Sequence, residues 1–476
     1  MAGGSAHPEP RPTGVRSPDD GNVHDAIAGG RDTIAAIATA PGRGAIALVR
    51  VSGPAAENVA GRLVDPWPTT PRVATLATIR DPERGTVIDR ALVTRFERGR
   101  SFTGEPLVEI STHGGPVSSA LVLAAAIAAG ARQALPGEFT RRAVINGKLT
   151  LAQGEAIGDI IDATSRSAHR IALEALDGGL VRRVLALRDA LIEVEALIAY
   201  DIDFPEEDDG PIAPERIARS AAAAGAQLDA LIATAPAGEL VRNGALVVLA
   251  GMPNAGKSSL FNALLGDARA LVTPIAGTTR DAIEAVIDAP GWPLRLVDTA
   301  GLRESADTIE QLGIEVSERY LARAQVVLAC GERAADVEAT TARIAAITTA
   351  PTIGVLTKAD LPDGGVPLPP RLVRVSAETG AGLGELLARI EEVLDGAFTA
   401  AAPDTPVVTR ARHLASLRAA REELREFGER WATGELPAPV IAVHLRAAVA
   451  ALEELVGVVD TEDVLDRVFR SFCVGK

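Results

Sequence analysis

"ALVVLAGMPNAGKSSLFNALL" (residues 245–265) joins an apolar run, a glycine-bounded loop and an amphipathic run without interruption. The apolar run is a short buried strand and the second run is a helix. Between them "GMPNAGKS", Gly251 to Ser258, fits G-x-x-x-x-G-K-[ST] in the strand–loop–helix context this pattern needs. Gly251 and Gly256 let the backbone curl so that its N–H groups face phosphate oxygens. Lys257 can then reach the β- and γ-phosphates, and Ser258 can place a hydroxyl on Mg²⁺. A chance match in a glycine loop would lack both flanks.

Working outward, strands alternate with helices from about Val241 to Asp395: "LRLVD", "AQVVLAC", "PTIGVLT" and "RLVRVSA" follow "ALVVLA". That alternation predicts a parallel sheet with crossover helices. Four further motifs lie in order along it. "GTTRD" (277–281) occupies the place of a first switch, with Thr279 as second Mg²⁺ ligand. "DTAG" (298–301) ends a strand; Asp298 would hold Mg²⁺ through water, and the Gly301 N–H would meet the γ-phosphate. "TKAD" (357–360) supplies Asp360 for guanine N1–H and the N2 amine, which adenine lacks, and Lys358 to cover the ring. "SAETG" (376–380) aims the Ala377 N–H at guanine O6, beside Ser376. Five motifs in this order predict a GTPase. Nucleotide contacts are expected from Asn254, Ala255, Gly256, Lys257, Ser258 and Ser259, from Thr273, Pro274, Ile275, Ala276, Gly277, Thr278 and Thr279, from Asp298, Thr299, Ala300 and Gly301, and from Thr357, Lys358, Ala359, Asp360, Ser376 and Ala377.

Two departures stand out. Thr357 occupies the place where NKxD motifs carry asparagine; it keeps a hydroxyl but lacks the amide. Leu302 follows the DxxG glycine, where Ras-type switches carry a glutamine that orients the attacking water. Leucine cannot do that, so hydrolysis needs another group.

The rest of the chain carries a different pattern. Of 476 residues, 47% are apolar but 3% aromatic, so several cores must rest on Ala, Leu, Val and Ile. A net charge of −15 argues against coating nucleic acid by bulk charge. Cys330 and Cys473 are far apart, with no CxxC pair, which fits a reducing cytosol and a cytoplasmic protein. Residues 1–31 read as a flexible tail without an apolar signal core. "ALVLAAAIAAGA" (120–131) is too short to span a membrane and reads as a buried helix. Residues 32–148 mix strands ("TIAAIAT", "AIALVRVSG") with that helix, an α+β pattern. Helical periodicity marks a first helical segment, 149–240, broken at the acidic "DIDFPEEDDGP"; it returns from Thr409 after the linker "FTAAAPDTPV", giving a second segment, 398–476. One helical domain interrupted by the α/β domain 241–397 is expected; two separate bundles fit the same pattern.

The motif spacing, with "TPIAGTTRD" and "DTAGLRE", closely resembles the MnmE (TrmE) family of tRNA-modifying GTPases. So do "SFTGEPLVEISTHGGP", "LPGEFTRRAVINGKLTLAQGEAIGDIIDATS", "DIDFPEED" and the terminal "SFCVGK"; together they span Asp32 to Lys476. The resemblance implies a multidomain α/β plus α fold: an N-terminal α+β folate-binding and dimerisation domain, a discontinuous helical domain and an inserted Ras-like P-loop GTPase domain. It implies K⁺ in place of an arginine finger, held by Asn254, Thr273, Ile275 and Thr278, and Glu310 as the residue that orients water. By its residues alone, Glu310 is a solvated carboxylate at a helix start. The resemblance further implies folate contacts at Arg50, Glu109, Lys148 and Lys476, with 5,10-methylene- or 5-formyl-tetrahydrofolate as ligand. Its partners would be a second copy, an FAD-dependent MnmG-type subunit in a heterotetramer, and tRNA; the product would be a (carboxymethyl)aminomethyl group at C5 of the wobble uridine. Read without the family, Arg50 is an exposed strand residue and Glu109 a solvated carboxylate. Cys473 reads either as an inert neighbour of Lys476 or as a nucleophile.

Arg166, Arg170, Arg182 and Arg183, and Arg410, Arg412, Arg418, Arg421 and Arg425, are interleaved with acids and read mostly as solvated helix faces with i,i+4 pairs, with a tRNA-facing patch as the alternative. His113 in "STHGGP" has no metal-ligand companions. Two other functions remain open on sequence: a ribosome-assembly GTPase, and a regulatory protein whose N-terminal domain only dimerises.

Overall fold

The structure is a computed structural model, and it describes residues 32–203, 213–267, 283–289, 291–298, 318–361, 372–398, 406–457, 468–469 and 472–475. Its chain divides into two compact units: the described residues up to Leu149 with those after Thr461, and Thr150–Asp460.

The first unit is built on a seven-stranded sheet of order β3-β4-β5-β6-β2-β1-β7. Its strands are β1 (Ile34–Ile37), β2 (Ile46–Ser52), β3 (Val64–Asp65), β4 (Thr75–Arg80), β5 (Val87–Phe96), β6 (Leu107–His113) and β7 (Arg132–Gln133). Neighbours run antiparallel except β1 and β7. The strands alternate, as a one-sided sheet must. Val49, Val51, Val93, Val108 and Ile110 point into a core closed by α1 (Ala56–Gly61) and α2 (Pro116–Ala128) through Val59 and Val122. Pro116 at the first helical turn of α2 gives up no needed N–H there. The next helix, α3 (Glu138–Ile145), carries the charged end of this unit. The chain's end departs from the expected helical segment 398–476. Val474 forms a bridge with Pro136, the Gly137 N–H donates to the Cys473 carbonyl at 3.3 Å, and Phe469 meets Phe472 edge-on at 5.3 Å. Backbone pairing therefore draws these residues to the first unit.

The second unit begins with α4 (Leu151–Asp162), whose start is fixed by a capping box between Thr150 and Gln153. Then come α5 (Arg166–Leu176), α6 (Gly179–Asp203), α7 (Pro214–Ala233) and α8 (Ala235–Asn243). After the inserted α/β part, α12 (Ala411–Thr433) and α13 (Ala438–Val456) return. Val184, Leu187 and Leu191 of α6, Leu228 of α7, Leu417, Leu424 and Phe427 of α12, and Leu445 and Leu452 of α13 share one core. Each fully buried Leu or Phe adds roughly 1.5–3 kcal/mol, and the shared core settles the alternative: one discontinuous helical domain, not two bundles.

The inserted part is a six-stranded sheet of order β13-β12-β11-β8-β10-β9. It comprises β8 (Ala245–Gly251), β9 (Ile283–Asp288), β10 (Pro293–Asp298), β11 (Val326–Gly331), β12 (Thr352–Leu356) and β13 (Leu372–Arg374), with helices α9 (Lys257–Asp267), α10 (Ala334–Ala345) and α11 (Leu383–Ala397). Five strands are parallel, as expected; the edge strand β9 pairs antiparallel with β10, a difference from the all-parallel expectation. Central β8 is buried on both faces. Val247 and Leu249 meet α9 and α11 through Leu264, Leu386 and Ile390. Leu246 and Val248 face the α10 side through Val337 and Ile344. This two-sided cover explains the uninterrupted apolar run.

Candidate functional site

The phosphate loop runs from the C-terminal end of β8 to the start of α9, at the carboxyl edge of the parallel strands, where open α/β sheets bind ligands. Asn254 takes φ +63° and Gly256 φ +76°. Asparagine tolerates this left-handed region better than most residues. Gly256 has a second reason: a Cβ there would lie 3.1 Å from the Thr357 Cβ. Lys257 is buried and its Nζ donates to the carbonyls of Gly251 and Met252 at 3.0 and 2.9 Å. Its ammonium is thus held within the loop that is meant to cradle phosphate. The Ser258 hydroxyl donates to Asp298 Oδ2 at 2.5 Å, bringing two hard oxygen donors from α9 and β10 together. That donor set fits a Mg²⁺ ion, which takes oxygen ligands. Cys330, behind the loop on β11, is fully buried, and burial together with the nearby Asp298 pushes its thiol up to about 12 against the pull of Lys257. It is a packing residue.

Thr357, Lys358, Asp360 and Ala377 line a cavity of about 640 Å³ with Gly256 and Leu260. The Thr357 hydroxyl lies 2.9 Å from the Ala255 carbonyl and 3.2 Å from the Gly331 carbonyl, so it ties the base loop to the phosphate loop and to β11. Asp360 Oδ1 accepts from the Ser376 hydroxyl at 2.7 Å, and that hydrogen bond holds its carboxyl below the usual range. Ser376 also accepts from the Thr379 N–H, which fixes the turn carrying Ala377. Lys358, at φ +56°, ion-pairs with Glu332, an acidic partner that no motif in the sequence signalled.

Motifs read far apart in sequence are thus brought together: Asn254 to Ser259 with Asp298 at one end, Thr357 to Asp360 with Ser376 and Ala377 at the other. Thr273, Pro274, Ile275, Ala276, Gly277, Thr278, Thr279, Thr299, Ala300, Gly301, Leu302, Glu310 and Lys476 lie outside the described residues. Asn254 is therefore the described member of the expected K⁺ set.

In the first unit, Arg50 on β2 and Glu109 on β6 are register partners, and Arg50 Nε donates to Glu109 Oε1 at 2.9 Å. Neither is the freely solvated group that the bland reading expects: each side chain is 23% exposed. The Arg50 guanidinium lies 5.8 Å from the centre of the Phe102 ring, a cation–π contact. Lys148 Nζ donates to the Gly99 carbonyl at 3.0 Å. Arg50, Glu109 and Phe102 form a charged wall with an aromatic floor, which fits a planar ring edged with N–H donors. Phe102 lies in "SFTGEP", where an aromatic after a serine gives no spacing signal for such a contact.

Other candidates resolve simply. His113 Nδ1 lies 2.7 Å from Asp89 Oδ1, and no group of metal-ligating side chains occurs among the described residues. Cys473 is exposed. Arg425 is wrapped by Glu422, Glu426 and Glu429, and Arg170 pairs with Glu174. Arg410 and Arg412 are not a solvated face. They converge on Glu155 and Asp159 of α4, with His413 Nε2 donating to Glu155 Oε2 at 2.7 Å. Burial disfavours the Glu155 charge, but hydrogen bonds from His413 and Arg412 outweigh it and hold the carboxyl at about 2. Burial keeps His413 below its usual value, helped by Arg412 and Arg410 and against the pull of Glu155; it is a neutral donor. A further cavity of about 530 Å³, near Glu174, Asp177, Arg182 and Arg183, mixes both signs of charge without convergent chemistry. No helix among the described residues is long and apolar enough to cross a membrane.

Two family profiles match the chain: "GTP-binding protein TrmE N-terminus" over residues 33–148 and "MnmE helical domain" over 151–473. Among similar proteins, the tRNA modification GTPase MnmE of Azoarcus sp. (strain BH72) is 44% identical over 452 residues, covering 94% of this chain and 98% of that protein. The protein of the same description from Akkermansia muciniphila is 43% identical over 459 residues, covering 93% and 99%. That from Thermus thermophilus is 42% identical over 449 residues, covering 94% and 99%.

Proposed function

This chain belongs to the MnmE (TrmE) family of tRNA modification GTPases, and from that premise we propose that its GTP hydrolysis drives the addition of a (carboxymethyl)aminomethyl group to C5 of the wobble uridine of certain tRNAs. The observation that carries the reading is the conjunction of a complete base pocket and phosphate loop in one unit with an Arg50–Glu109–Phe102 wall in the other. A ribosome-assembly GTPase would have no use for that wall.

In the nucleotide site, Asp360 discriminates guanine by accepting two N–H donors, and Lys358 covers the base. Lys257 leaves its carbonyl partners to bind the β/γ-phosphate oxygens, while the N–H groups at the start of α9 face the same charge. Ser258 and Thr279 would hold Mg²⁺, with Asp298 reaching it through water, and Asn254, Thr273, Ile275 and Thr278 would hold K⁺. Held there, the ions would offset the negative charge that develops between the β- and γ-phosphates. Glu310 orients the attacking water, the role Leu302 cannot fill. In the first unit, Glu109 accepts from a pterin edge, and Arg50, Lys148 and Lys476 offset the negative tail of 5,10-methylene- or 5-formyl-tetrahydrofolate. A folate held there would supply the one-carbon unit. The working assembly is a homodimer with an FAD-dependent MnmG-type subunit, acting on tRNA in the cytoplasm. The functional domains are 32–148 joined by the end of the chain from Thr461, the helical segments 149–240 and 398–460, and the G domain 241–397; GTP hydrolysis changes their arrangement and does not itself transfer carbon.

The test is mass spectrometry of tRNA nucleosides from a strain lacking the protein. Aminomethyl-type wobble uridines should vanish and return with the intact gene, but not with Glu310→Ala. An unchanged nucleoside profile would leave ribosome assembly as the better account.

A further inference from the structure

The Arg50 wall depends on a loop, residues 97–106, whose polar side chains turn inward. Ser101, Thr103 and Glu105 are buried, at 6%, 0% and 7% exposure, while Phe102 between them reaches Arg50. Beneath the loop Ser52 bonds Thr103 Oγ1 at 2.7 Å and donates to Glu105 Oε2 at 3.0 Å. Arg142 of α3, itself buried, donates from Nη1 to both Glu105 oxygens at 3.3 and 3.2 Å, and from Nη2 to Glu138 and Asp32 at 2.9 and 2.6 Å. Arg132 shares Asp32 and Glu138 with it. Asn146, just after α3, donates to the Thr103 carbonyl at 2.7 Å.

A buried ion cluster is a poor source of stability, because taking the charges out of water offsets their attraction. A greasy core would hold the sheet as well. What the cluster gives is geometry: a planar fork fixed by three carboxylates can hold one backbone shape. The shape it holds is the one that sets the Phe102 ring beneath the Arg50 guanidinium.

We propose that Arg142, through Glu105, is a positioning residue for reduced-folate binding, and that Asn146 latches the same loop through the Thr103 carbonyl. This rests on the folate reading of the Arg50 site. Neither residue touches the ligand; both hold the loop in its binding shape before the ligand arrives, which lowers the ordering cost of binding.

The experiment titrates the full-length chain with 5-formyl-tetrahydrofolate calorimetrically, beside Arg142→Lys and Asn146→Ala, and follows amide hydrogen exchange of each. Lysine keeps the charge but not the fork. Arg142→Lys should weaken binding about tenfold or more and Asn146→Ala about fivefold, the loss of one or two hydrogen bonds. Exchange should quicken in residues 99–105, stay unchanged across β2 and β6, and slow again at saturating ligand. Slow GTP turnover, a property of the other unit, should stay at the wild-type value. A general loss of structure would instead quicken exchange throughout the sheet. If Arg142→Lys fails to fold, Asn146→Ala decides, since Asn146 is exposed and its removal leaves the ion cluster intact. Quickened loop exchange with unchanged affinity overturns the positioning role and leaves the folate reading standing. Absence of binding by the wild-type chain overturns both.

Discussion

Thr357 shows how a hydroxyl serves where an amide is expected. It reaches the carbonyls of Ala255 and Gly331, so the base loop stays tied to the phosphate loop. Thr357→Ala should lower GDP affinity by roughly five- to twentyfold, one or two net hydrogen bonds; titration with a fluorescent GDP analogue measures it, and an unchanged affinity would mean the tie is idle. Glu155 gives a pH dependence. Its folded value of about 2 lies below the ordinary 4.5, so its stabilisation is complete above 4.5 and is lost as pH falls towards 2. The span is on the order of 3 kcal/mol. His413, also depressed, acts in the same direction, starting below its ordinary 6.5. Urea unfolding followed by circular dichroism should show stability of the helical domain dropping on acidification, with a flatter slope below pH 4.5 in Glu155→Gln.

At the scale of elements, the helical domain is entered and left by the G domain at one place. The α8 helix leads into β8, and residues 406–410 lead from the G domain into α12. Gly238 of α8 allows the two to touch: a Cβ there would stand 2.2 Å from the Val408 carbonyl oxygen. Asp159 of α4 then pairs with Arg242 from the entering segment and Arg410 from the leaving one. Gly238→Ala should destabilise the second unit by about 1–3 kcal/mol, as overpacking does. A lowered thermal midpoint with normal nucleotide affinity is the expected result; an unchanged midpoint would mean the segments separate freely. The junction was not legible in the sequence, because a glycine inside a helix pattern carries no mark of what crosses it.

At the scale of the molecule, Leu302 in place of the glutamine, together with the potassium site that the family resemblance implies, makes cation dependence the decisive property. GTP turnover should be much faster in KCl than in NaCl at equal ionic strength. The gap should shrink in Asn254→Ala, which removes the side-chain oxygen proposed to hold the ion. Equal rates in both salts, across protein concentrations, would remove the potassium proposal.

The five nucleotide motifs, the alternation of strands with helices and the apolar period of the helices were determined by the sequence alone. Each is local: a glycine loop needs its own glycines, and a helix shows its buried face every three or four residues. The sharing of one core by helices on either side of the G domain was decided by tertiary packing. So were the antiparallel edge strand β9 and the return of residues 472–475 to the first unit. The same holds for Phe102 beneath Arg50, Glu332 beside Lys358, and Arg142 among three carboxylates. These contacts join residues from 4 to more than 100 positions apart, and what fixes them is the burial of charge, which demands a partner wherever in the chain that partner lies.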